Sequence, residues 1–534
     1  MSNTDVELFI VPWENDYKHV LYFNNVTEQN NYFTTKALLK KSGLTYQRKD
    51  NTIRYPEHID NIYTMNYLRY RNTDYNSKWY YAFITDMTYV NDGMTEIHIE
   101  TDVMQTWFFN HTLKPSFIER EHVNDDTPGV NLIDEGFSVS DYTLNNYRSA
   151  GIGSTSSGES DNPLYIVIGV TEESTGNSVG MRVYNGIPSG VAYYVYPIGQ
   201  YNKVSELITT YATAGKSDAI ICMFLAPAEL VKPYLTNTEG FINTSIAPSV
   251  VYINNGGTES ASNRVFQIST TTIDSYIPKN KKLLTYPYRY LMVSNNNGTE
   301  AIYRYENFGN TTYSYAPQFA IQGCLTPGCS IRMIPLNYKN CNTTNMWRCD
   351  VEGINLGKFP TLNWNSDYYT NWLTQNGVNI GIQAITSAGS IGAGLYTGNI
   401  GMVAGGVSTA ANTINSIYQA DLVPHQSHGN INCGDVVTSG GVNDFHFYDM
   451  CLKKEQAIVI DSFFTMYGYK VNRVGLPLKA HRSNFWYTKT IDCDVDGFLP
   501  NKDIQKIKNI YDSGVTFWKS DSNMGNYLSD NGIV

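Results

Sequence analysis

The stretch WYYAFITDMTYVNDGMTEIHIETDV, residues 79–103, indicates the fold class of this chain. Its first half is aromatic and β-branched, and Asn91-Asp92-Gly93 at its centre is a strong hairpin-turn signal. Met94 to Val103 then returns as a second strand. We therefore predict a β-hairpin here and a β-rich N-terminal region around it.

The returning strand alternates in polarity, so its successive side chains point to opposite faces of the sheet. The apolar or β-branched side chains of one face are Ile97, Ile99, Thr101 and Val103. The other face carries His98 and three carboxylates, which are Glu96, Glu100 and Asp102. A solvated strand surface is the simplest interpretation of this acidic face.

The composition is that of a folded protein with few charges. The chain has 534 residues, enough for about three or four domains, and 42% of them are apolar. Only 16% are charged and the net charge is −11, which argues against a broad basic surface that grips nucleic acid. The 42 Tyr and 55 Asn residues favour extensive wet interfaces over a freely diffusing enzyme.

Residues 1–14 lack the basic region and apolar run of a secretory signal, so we expect synthesis in a cytoplasm.

Periodicity and turn signals divide the rest of the chain. The predicted elements are strands at Leu164–Val170, Ala219–Leu225 and Val515–Trp518, and helices at Tyr201–Ala214, Leu452–Tyr467 and Asn501–Asp512. The predicted fold class is mainly β with an α+β insertion, plus a long apolar loop or helical hairpin. Its predicted parts are a β-rich part at 1–155, an α+β domain at 156–248, a second β-rich part at 249–367, an apolar segment at 368–426 and an α+β part at 427–534.

The segment Tyr368–Ala420 has 53 consecutive residues without Asp, Glu, Lys, Arg or His. With 38 Lys+Arg and 49 Asp+Glu in the whole chain, about nine charges would be expected there. Its two arms, Asn376–Tyr396 and Ile400–Ala420, are 21 residues each. A helix of that length spans about 31 Å, close to the ~30 Å hydrocarbon core of a bilayer.

The membrane-active candidates are apolar and small residues of these arms. They are Gly377, Val378, Ile380, Gly381, Ile382, Ile385, Ile391, Leu395, Ile400, Val403, Val407, Ile414 and Ile417. Polar residues such as Gln383 and Asn412 interrupt both arms, so the segment is less hydrophobic than a constitutive transmembrane helix. Three interpretations stay open: a hairpin that enters a membrane, a hairpin that only packs inside an oligomer, and a sheltered hairpin that a trigger releases into a membrane.

The turn Asp492-x-Asp494-x-Asp496-Gly497 has the alternate carboxylates of a calcium loop, with Asp503 where a bidentate ligand is expected. A strand-like run rather than an entering helix precedes it. The alternative is an acidic turn that caps the following helix. We predict no metal and no cofactor, with Ca²⁺ at this turn as the competing interpretation.

Several long stretches resemble the tail knob, or distal tube, proteins of phi29-like short-tailed phages. They are residues 79–84 and 95–107, Pro115–His122, Lys281–Leu283 with Tyr286-Pro287-Tyr288, Phe463–Tyr469 and Gly514–Trp518. The resemblance extends from about Val6 to the C-terminus.

The resemblance implies β-barrel tail-tube domains that assemble into a ring, a homohexameric tube at the tail tip through which the genome leaves. It implies that 1–155 and 249–367 belong to the tube, that 156–248 is an outer knob domain and that 427–534 returns to the tube or knob. Residues 368–426 would plug the channel and then form a pore in the host membrane. The implied partners are other copies of the chain, upper tail or lower collar proteins, the host membrane and transiting double-stranded DNA. Facing the lumen, Glu96, Glu100 and Asp102 would repel DNA phosphates.

We therefore predict a virion tail protein that is not an enzyme. The alternative from the binding class is a tail hub or receptor-binding protein whose apolar loop only packs. No local set of catalytic side chains stands out in the sequence. Because the two acids of a glycosidase require no local motif, a wall-degrading tail enzyme is a further alternative.

Overall fold

The computed structural model describes residues 3–534 except 48–49, 140, 150–163, 176–178, 185, 215, 217–218, 247–248, 253–270, 296–297, 309–316, 318, 330, 336, 340–352, 357–360, 366–427, 433–444 and 478–481. The chain forms two compact units, each assembled from separate segments. Unit 1 comprises Met1–Ser138, Pro278–Leu283 and Glu455–Val534, and unit 2 comprises Val139–Ile277 and Leu284–Lys454.

Most of the described elements are strands. The strands up to the end of the first segment of unit 1 are β1 (Thr4–Phe9), β2 (His19–Leu21), β3 (Leu39–Leu44), β4 (Tyr46–Gln47), β5 (Thr52–Tyr55), β6 (Tyr67–Asn72), β7 (Tyr80–Asn91), β8 (Met94–Thr101), β9 (His111–Leu113) and β10 (Ser116–Glu121). The strands of unit 2 are β11 (Tyr142–Ser149), β12 (Leu164–Val170), β13 (Arg182–Tyr184), β14 (Ile187–Ser189), β15 (Ala192–Pro197), β16 (Ile220–Pro227), β17 (Gly240–Ile242), β18 (Ser249–Tyr252), β19 (Arg289–Ser294), β20 (Glu300–Tyr303), β21 (Phe319–Gly323), β22 (Ile331–Pro335), β23 (Ile354–Leu356), β24 (Thr361–Asn365), β25 (His428–Asn432) and β26 (His446–Leu452). Those of the C-terminal segment are β27 (Tyr469–Gly475), β28 (Phe485–Ile491), β29 (Val495–Gly497) and β30 (Val515–Trp518).

The described helices are fewer and mostly short. They are α1 (Val26–Lys36), α2 (Ile59–Ile62), α3 (Val103–Trp107), α4 (Tyr201–Thr213), α5 (Ala228–Val231), α6 (Lys454–Tyr467) and α7 (Asn501–Ser513). Single 3₁₀ turns lie at Lys232–Tyr234, Lys281–Leu284, Tyr305–Asn307 and Asp521–Asn523. The chain is therefore mainly β, as the sequence predicts.

Unit 1 contains a seven-stranded sheet of order β3-β1-β6-β7-β8-β5-β4. The predicted hairpin β7–β8 lies inside it, between β6 and β5. The two edge strands, β3 and β4, are separated in sequence by Thr45 alone. Because consecutive Cα atoms are only 3.8 Å apart, the two edges of the sheet meet at this corner. The sheet therefore curls around its inner face.

Alternation along the strands gives this sheet two apolar layers. The side chains of the inner layer include Val6, Leu8, Ile53, Tyr55, Leu68, Tyr70, Ala82, Ile97 and Ile99. Those of the outer layer include Phe9, Tyr67, Tyr81 and Phe83, and Phe33 of α1 covers them. Asn25 caps α1 by accepting a hydrogen bond from the Glu28 backbone N–H at 2.8 Å, which fixes the start of that helix.

A five-stranded sheet of order β2-β30-β28-β10-β27 joins the two ends of the chain within unit 1. Its strands β2 and β30 are parallel and pair His19 with Thr516. Helix α7 packs on this region through Ile507, Ile510 and Tyr511. Gly514 ends α7 at a φ of 91°, where a Cβ would lie 2.0 Å from the Tyr487 hydroxyl oxygen, so only glycine fits.

Unit 2 contains a six-stranded sheet of order β17-β15-β12-β16-β24-β25 and two four-stranded sheets, of orders β11-β26-β19-β20 and β18-β21-β22-β23. Every residue of β12 is buried, as its uninterrupted apolar run predicts. Helix α4 adds Val204, Leu207 and Ile208 to the same core.

A buried ion pair joins two strands of unit 2. The Arg289 Nε donates to Asp449 Oδ1 at 2.9 Å, and Arg289 Nη2 donates to Asp449 Oδ2 at 2.7 Å. Arg289 is 1% exposed and Asp449 is 0% exposed. The Tyr305 hydroxyl and the Asn145 side-chain amide also donate to this carboxylate. Four donors therefore compensate the loss of water around it.

The predicted strands and helices are confirmed, with end points that differ by one or two residues. The C-terminal end of the predicted strand Met94–Val103 differs in a way that matters for the acidic face: the strand ends at Thr101, and Val103 begins α3. The tube and knob assignments of the five predicted parts stay predictions. Within the described ranges, no helix is both long enough and apolar enough to span a bilayer.

Candidate functional site

The acidic face predicted on β8 carries cations as well as carboxylates. Arg54 Nε on the neighbouring β5 donates to Glu96 Oε2 at 3.2 Å. Lys506 Nζ on α7 donates to Glu100 Oε1 at 2.9 Å, and Asn15 donates to its other oxygen at 3.3 Å. The hydrogen bond from Lys506 holds the pKa of Glu100 below its ordinary value. The face formed by Glu96, His98 and Glu100 is therefore close to neutral.

Asp102 does not lie on this face, which corrects the prediction. It is 1% exposed, and it caps α3 by accepting a hydrogen bond from the Gln105 backbone N–H at 3.0 Å. The Tyr67 hydroxyl donates to its second oxygen at 2.8 Å. Among the described side chains, no cation pairs with it, and burial raises its pKa from 3.8 to about 6. The strand ends one residue earlier, so the two-residue alternation no longer applies at position 102.

The sequence carries a signal for this role of Asp102. Asp at a helix N-cap followed by Gln three residues later is typical of a helix start, and Asp102 and Gln105 have that spacing. The Gln105 side chain donates to the Leu21 carbonyl at 2.7 Å and accepts from Gln29 at 2.9 Å. This buried polar group therefore ties β2, α1 and α3 together.

The apolar segment lies outside the described residues, and so do all thirteen membrane-active candidates from Gly377 to Ile417. The strands on either side of it are described. β24 ends at Asn365 and β25 begins at His428, and these two residues are partners in an antiparallel pair. β25 is the last strand in the order of the six-stranded sheet, next to β24.

The pairing brings both ends of residues 366–427 to one point. Partners in an antiparallel pair have their Cα atoms about 4.5–5.5 Å apart. The pair continues for five residues, from Asn365 with His428 to Thr361 with Asn432, and β24 also pairs with the buried strand β16. The segment is therefore an insertion between two neighbouring strands of an established sheet.

The calcium-like turn does not gather its carboxylates. Asp496 Oδ2 contacts Lys114 Nζ at 3.1 Å, and Asp494 Oδ1 contacts Lys508 Nζ at 3.8 Å. Asp503 accepts a hydrogen bond from Trp107 Nε1 at 2.9 Å. Among the residues that the structure describes, no three His, Cys, Asp or Glu side chains converge as metal ligands would. Both interpretations of this turn, the acidic helix-capping turn and the calcium loop, stay predictions.

The short segment Pro278–Leu283 is a feature that sequence reasoning missed. It passes through unit 1, where Asp461 accepts hydrogen bonds from the backbone N–H groups of Lys279 at 2.8 Å and Asn280 at 3.0 Å. Lys282 is buried and pairs with Glu135, which also pairs with Arg120. These partners lie more than 140 residues away in sequence, so no local pattern reveals them.

Comparisons with known proteins agree with this architecture. The family model described as Bacillus phage phi29, tail knob protein gp9, C-terminal domain, matches residues 252–532. A second family model, caudoviral major tail protein N-terminus, matches residues 2–112, which hold the curled seven-stranded sheet.

Relatives of known name are similar over their full length. The chain is 26% identical to tail knob protein gp9 of Bacillus phage phi29, covering 99% of both chains. It is 27% identical to tail knob protein gp9 of Bacillus phage B103, covering 100% of this chain and 99% of that protein. Among solved structures, the bacteriophage C1 tail knob protein gp12 superposes with a TM-score of 0.62 at 14% identity, covering 99% of this chain and 100% of that one.

Proposed function

The chain belongs to the family of the phi29 tail knob protein, and on that premise we propose that it forms a homohexameric distal tail tube for DNA ejection, with an apolar segment that enters the host membrane. It is a structural component of the phage tail. In the proposal, residues 368–426 first close the channel and then line a pore in the host membrane.

The observation that carries the proposal is the insertion between β24 and β25. Both ends of residues 366–427 start from paired neighbours at the last strand of a sheet. The segment can therefore extend from one point, with its two arms side by side, while the sheet below keeps its pairing. Two arms of 21 uncharged residues are long enough to cross a hydrocarbon core of ~30 Å.

The composition of the segment supports a sheltered state before ejection. A run of 53 uncharged residues would expose more apolar surface on a single subunit than soluble proteins tolerate. A ring of identical subunits brings the same segment from each copy to one axis, where the segments cover one another. On ejection, lipid replaces the neighbouring subunits as the apolar surroundings of the segment. The difference in free energy between these two environments drives the segment from the channel into the membrane.

The charges of the described surface support passage of DNA without binding. The net charge of −11 gives the whole chain the same sign as DNA. Glu96 and Glu100 are proposed to face the lumen, where their pairing with Arg54 and Lys506 leaves few free cations to hold phosphates. Upper tail or lower collar proteins are the proposed neighbours in the virion, and the host membrane is the proposed target at the tail tip.

The test is dye release from liposomes by purified rings. The variants are the natural chain, a chain lacking Asn376–Ala420, and a chain in which the same residues are replaced by a Gly/Ser linker of equal length. We expect leakage from the natural chain alone. Equal leakage from all three would refute the membrane role and favour the alternative, a tail hub whose apolar loop only packs.

A negative-stain image of the same samples tests the ring independently. We expect a ring with a central channel for the natural chain and for both loop variants, because both variants keep the paired strands β24 and β25. A monomer in all three samples would refute the tube. Loss of turbidity in cell walls incubated with the protein would favour the wall-degrading alternative.

A further inference from the structure

A cavity of about 580 Å³ lies in unit 1. It is lined by the segment Lys279–Lys281, by Arg482 and by the C-terminal residues 528–533, with His122, Asp126 and Thr465 completing the wall. Ligand sites for small molecules commonly have volumes of about 300–1,000 Å³. The cavity is therefore large enough for a sugar-sized molecule.

The Arg482 guanidinium lies at this cavity and has no carboxylate within ion-pair distance among the described residues. Its Nη2 donates to the Val123 carbonyl at 2.7 Å and its Nη1 to the Asn531 carbonyl at 3.4 Å. Its Nε is buried and has no hydrogen-bond partner within the described part of the chain. Burial lowers the pKa of Arg482, and the charge of the nearby Asp126 carboxylate offsets this effect only in part. A desolvated cation of this kind is costly unless an anion compensates it.

The other charged groups of the wall leave a net positive charge. Lys279 and Lys281 are exposed and line the same cavity as Arg482. Of the two carboxylates, Asp530 is exposed, and Asp126 accepts hydrogen bonds from the Tyr469 hydroxyl and, at 3.0 Å, from the Lys281 backbone N–H. Three cations therefore face two carboxylates.

His122 does not add to this charge. Its Nδ1 accepts from the Tyr487 backbone N–H at 2.7 Å, and its Nε2 donates to the Thr465 carbonyl at 3.0 Å. Burial lowers its pKa to about 3, so the ring stays neutral. Both ring nitrogens of His122 are therefore engaged, and the positive charge of the wall comes from Arg482, Lys279 and Lys281.

We propose that this cavity binds an oxyanion, a phosphate or carboxylate group carried on a polar molecule of sugar size. The Arg482 guanidinium would donate to one anion oxygen from the second N–H of an Nη atom, since Nη1 and Nη2 each make one hydrogen bond to a backbone carbonyl, and the ammonium groups of Lys279 and Lys281 would hold the other oxygens. Guanidinium groups match the geometry of phosphate and carboxylate, and such charge-assisted hydrogen bonds are stronger than neutral ones. The proposal is independent of the proposed tube and pore.

The test is binding of inorganic phosphate, glucose 6-phosphate, glucuronate and neutral glucose, measured by ligand-detected NMR and by thermal shift at constant ionic strength. Sodium chloride replaces the ligand in the reference, because phosphate also stabilises proteins by exclusion from their surface. Separate phosphate and carboxylate arms identify which oxyanion the site prefers. The variants are Arg482→Gln, Lys281→Gln and, as a control that changes the same charge elsewhere in unit 1, Lys519→Gln.

We expect saturable binding of at least one of the three anions and none of neutral glucose. Arg482→Gln should weaken binding about tenfold or more, since it removes a hydrogen bond between charged groups. Lys281→Gln keeps an exposed position and should weaken binding several-fold even if Arg482→Gln fails to fold. Lys519→Gln should bind as the natural chain does. Absence of saturable binding by every anion, or equal binding by the natural chain and the Lys281 variant, would overturn the proposal.

Discussion

Asp102→Asn should make unit 1 more stable at neutral pH than the natural chain. Asp102 is buried, and its carboxylate receives hydrogen bonds from Tyr67 and Gln105 but from no cation in the described structure. Its pKa is about 6 in the folded protein and 3.8 in the unfolded chain. Between these pH values the folded state holds a proton that the unfolded chain has released, so stability falls as pH rises through this window.

The size of the effect follows from the two pKa values. The difference of about two units corresponds to about 3 kcal/mol of unfolding free energy at 1.36 kcal/mol per unit, lost between pH 4 and pH 7. Asn has no such titration, and it caps helices about as well as Asp does. Its side-chain oxygen can still accept from Gln105, and the Tyr67 hydroxyl can turn to accept from its amide.

Urea unfolding followed by tryptophan fluorescence at pH 4, 5, 6 and 7 measures this difference. The stability of Asp102→Asn relative to the natural chain should rise by about 3 kcal/mol across the series. Glu96→Gln is the control on the same hairpin; its side chain is partly exposed and pairs with the exposed Arg54, so the change should alter stability by less than about 1 kcal/mol at every pH. A difference between Asp102→Asn and the natural chain that is constant with pH would refute the reasoning.

Three further perturbations test other parts of the structure. Gly514→Ala places a Cβ at a positive φ and against the Tyr487 hydroxyl, so it should lower the unfolding free energy by about 3 kcal/mol or more. Gly525→Ala also has a positive φ, of 83°, but open space around it, and should lower the unfolding free energy by only about 1 kcal/mol. Thermal unfolding measures both. Asp449→Ala leaves the buried Arg289 charge without its carboxylate and should lower the unfolding free energy by about 3–5 kcal/mol. Asp449→Asn should lower it less, because asparagine keeps the volume of the side chain. Equal stability of both variants and the natural chain in denaturant would contradict this. Addition of EDTA should leave the melting temperature unchanged, because the carboxylates of the acidic turn before α7 bind separate partners, and a drop that Ca²⁺ restores would show a metal site.

The local sequence pattern was sufficient to predict those strands and helices in which apolar and polar residues alternate with a regular period. The hairpin β7–β8 was predictable because Asn91-Asp92-Gly93 and the alternation around it are contained in one short stretch. The same alternation led to the wrong position for Asp102. Polar and apolar residues keep alternating in the sequence through residue 102, although the strand has ended and Asp102 is the N-cap of α3. Only the contacts with Tyr67 and Gln105 show that the backbone has turned there.

Long-range partners could not be predicted in the same way. Arg289 and Asp449 are 160 residues apart, and their pairing depends on the register of β19 against β26. The cavity at Arg482 depends on three segments that meet only in the folded unit: 122–126, 279–281 and 528–533. Nothing in the sequence around Arg482 distinguishes it from an ordinary surface arginine, because its burial and its contacts with Val123 and Asn531 are properties of the packing.

The β24–β25 pair also makes the junction between Asn365 and His428 a site where insertions and deletions are tolerated. Since Asn365 and His428 are held side by side, the closure entropy of whatever joins them grows only slowly with length, by about 0.6 kcal/mol for each doubling. Related phages could lengthen, shorten or exchange the intervening segment with little effect on the scaffold. An experimenter could likewise graft a fluorescent label or an affinity peptide at this junction and follow its environment during infection.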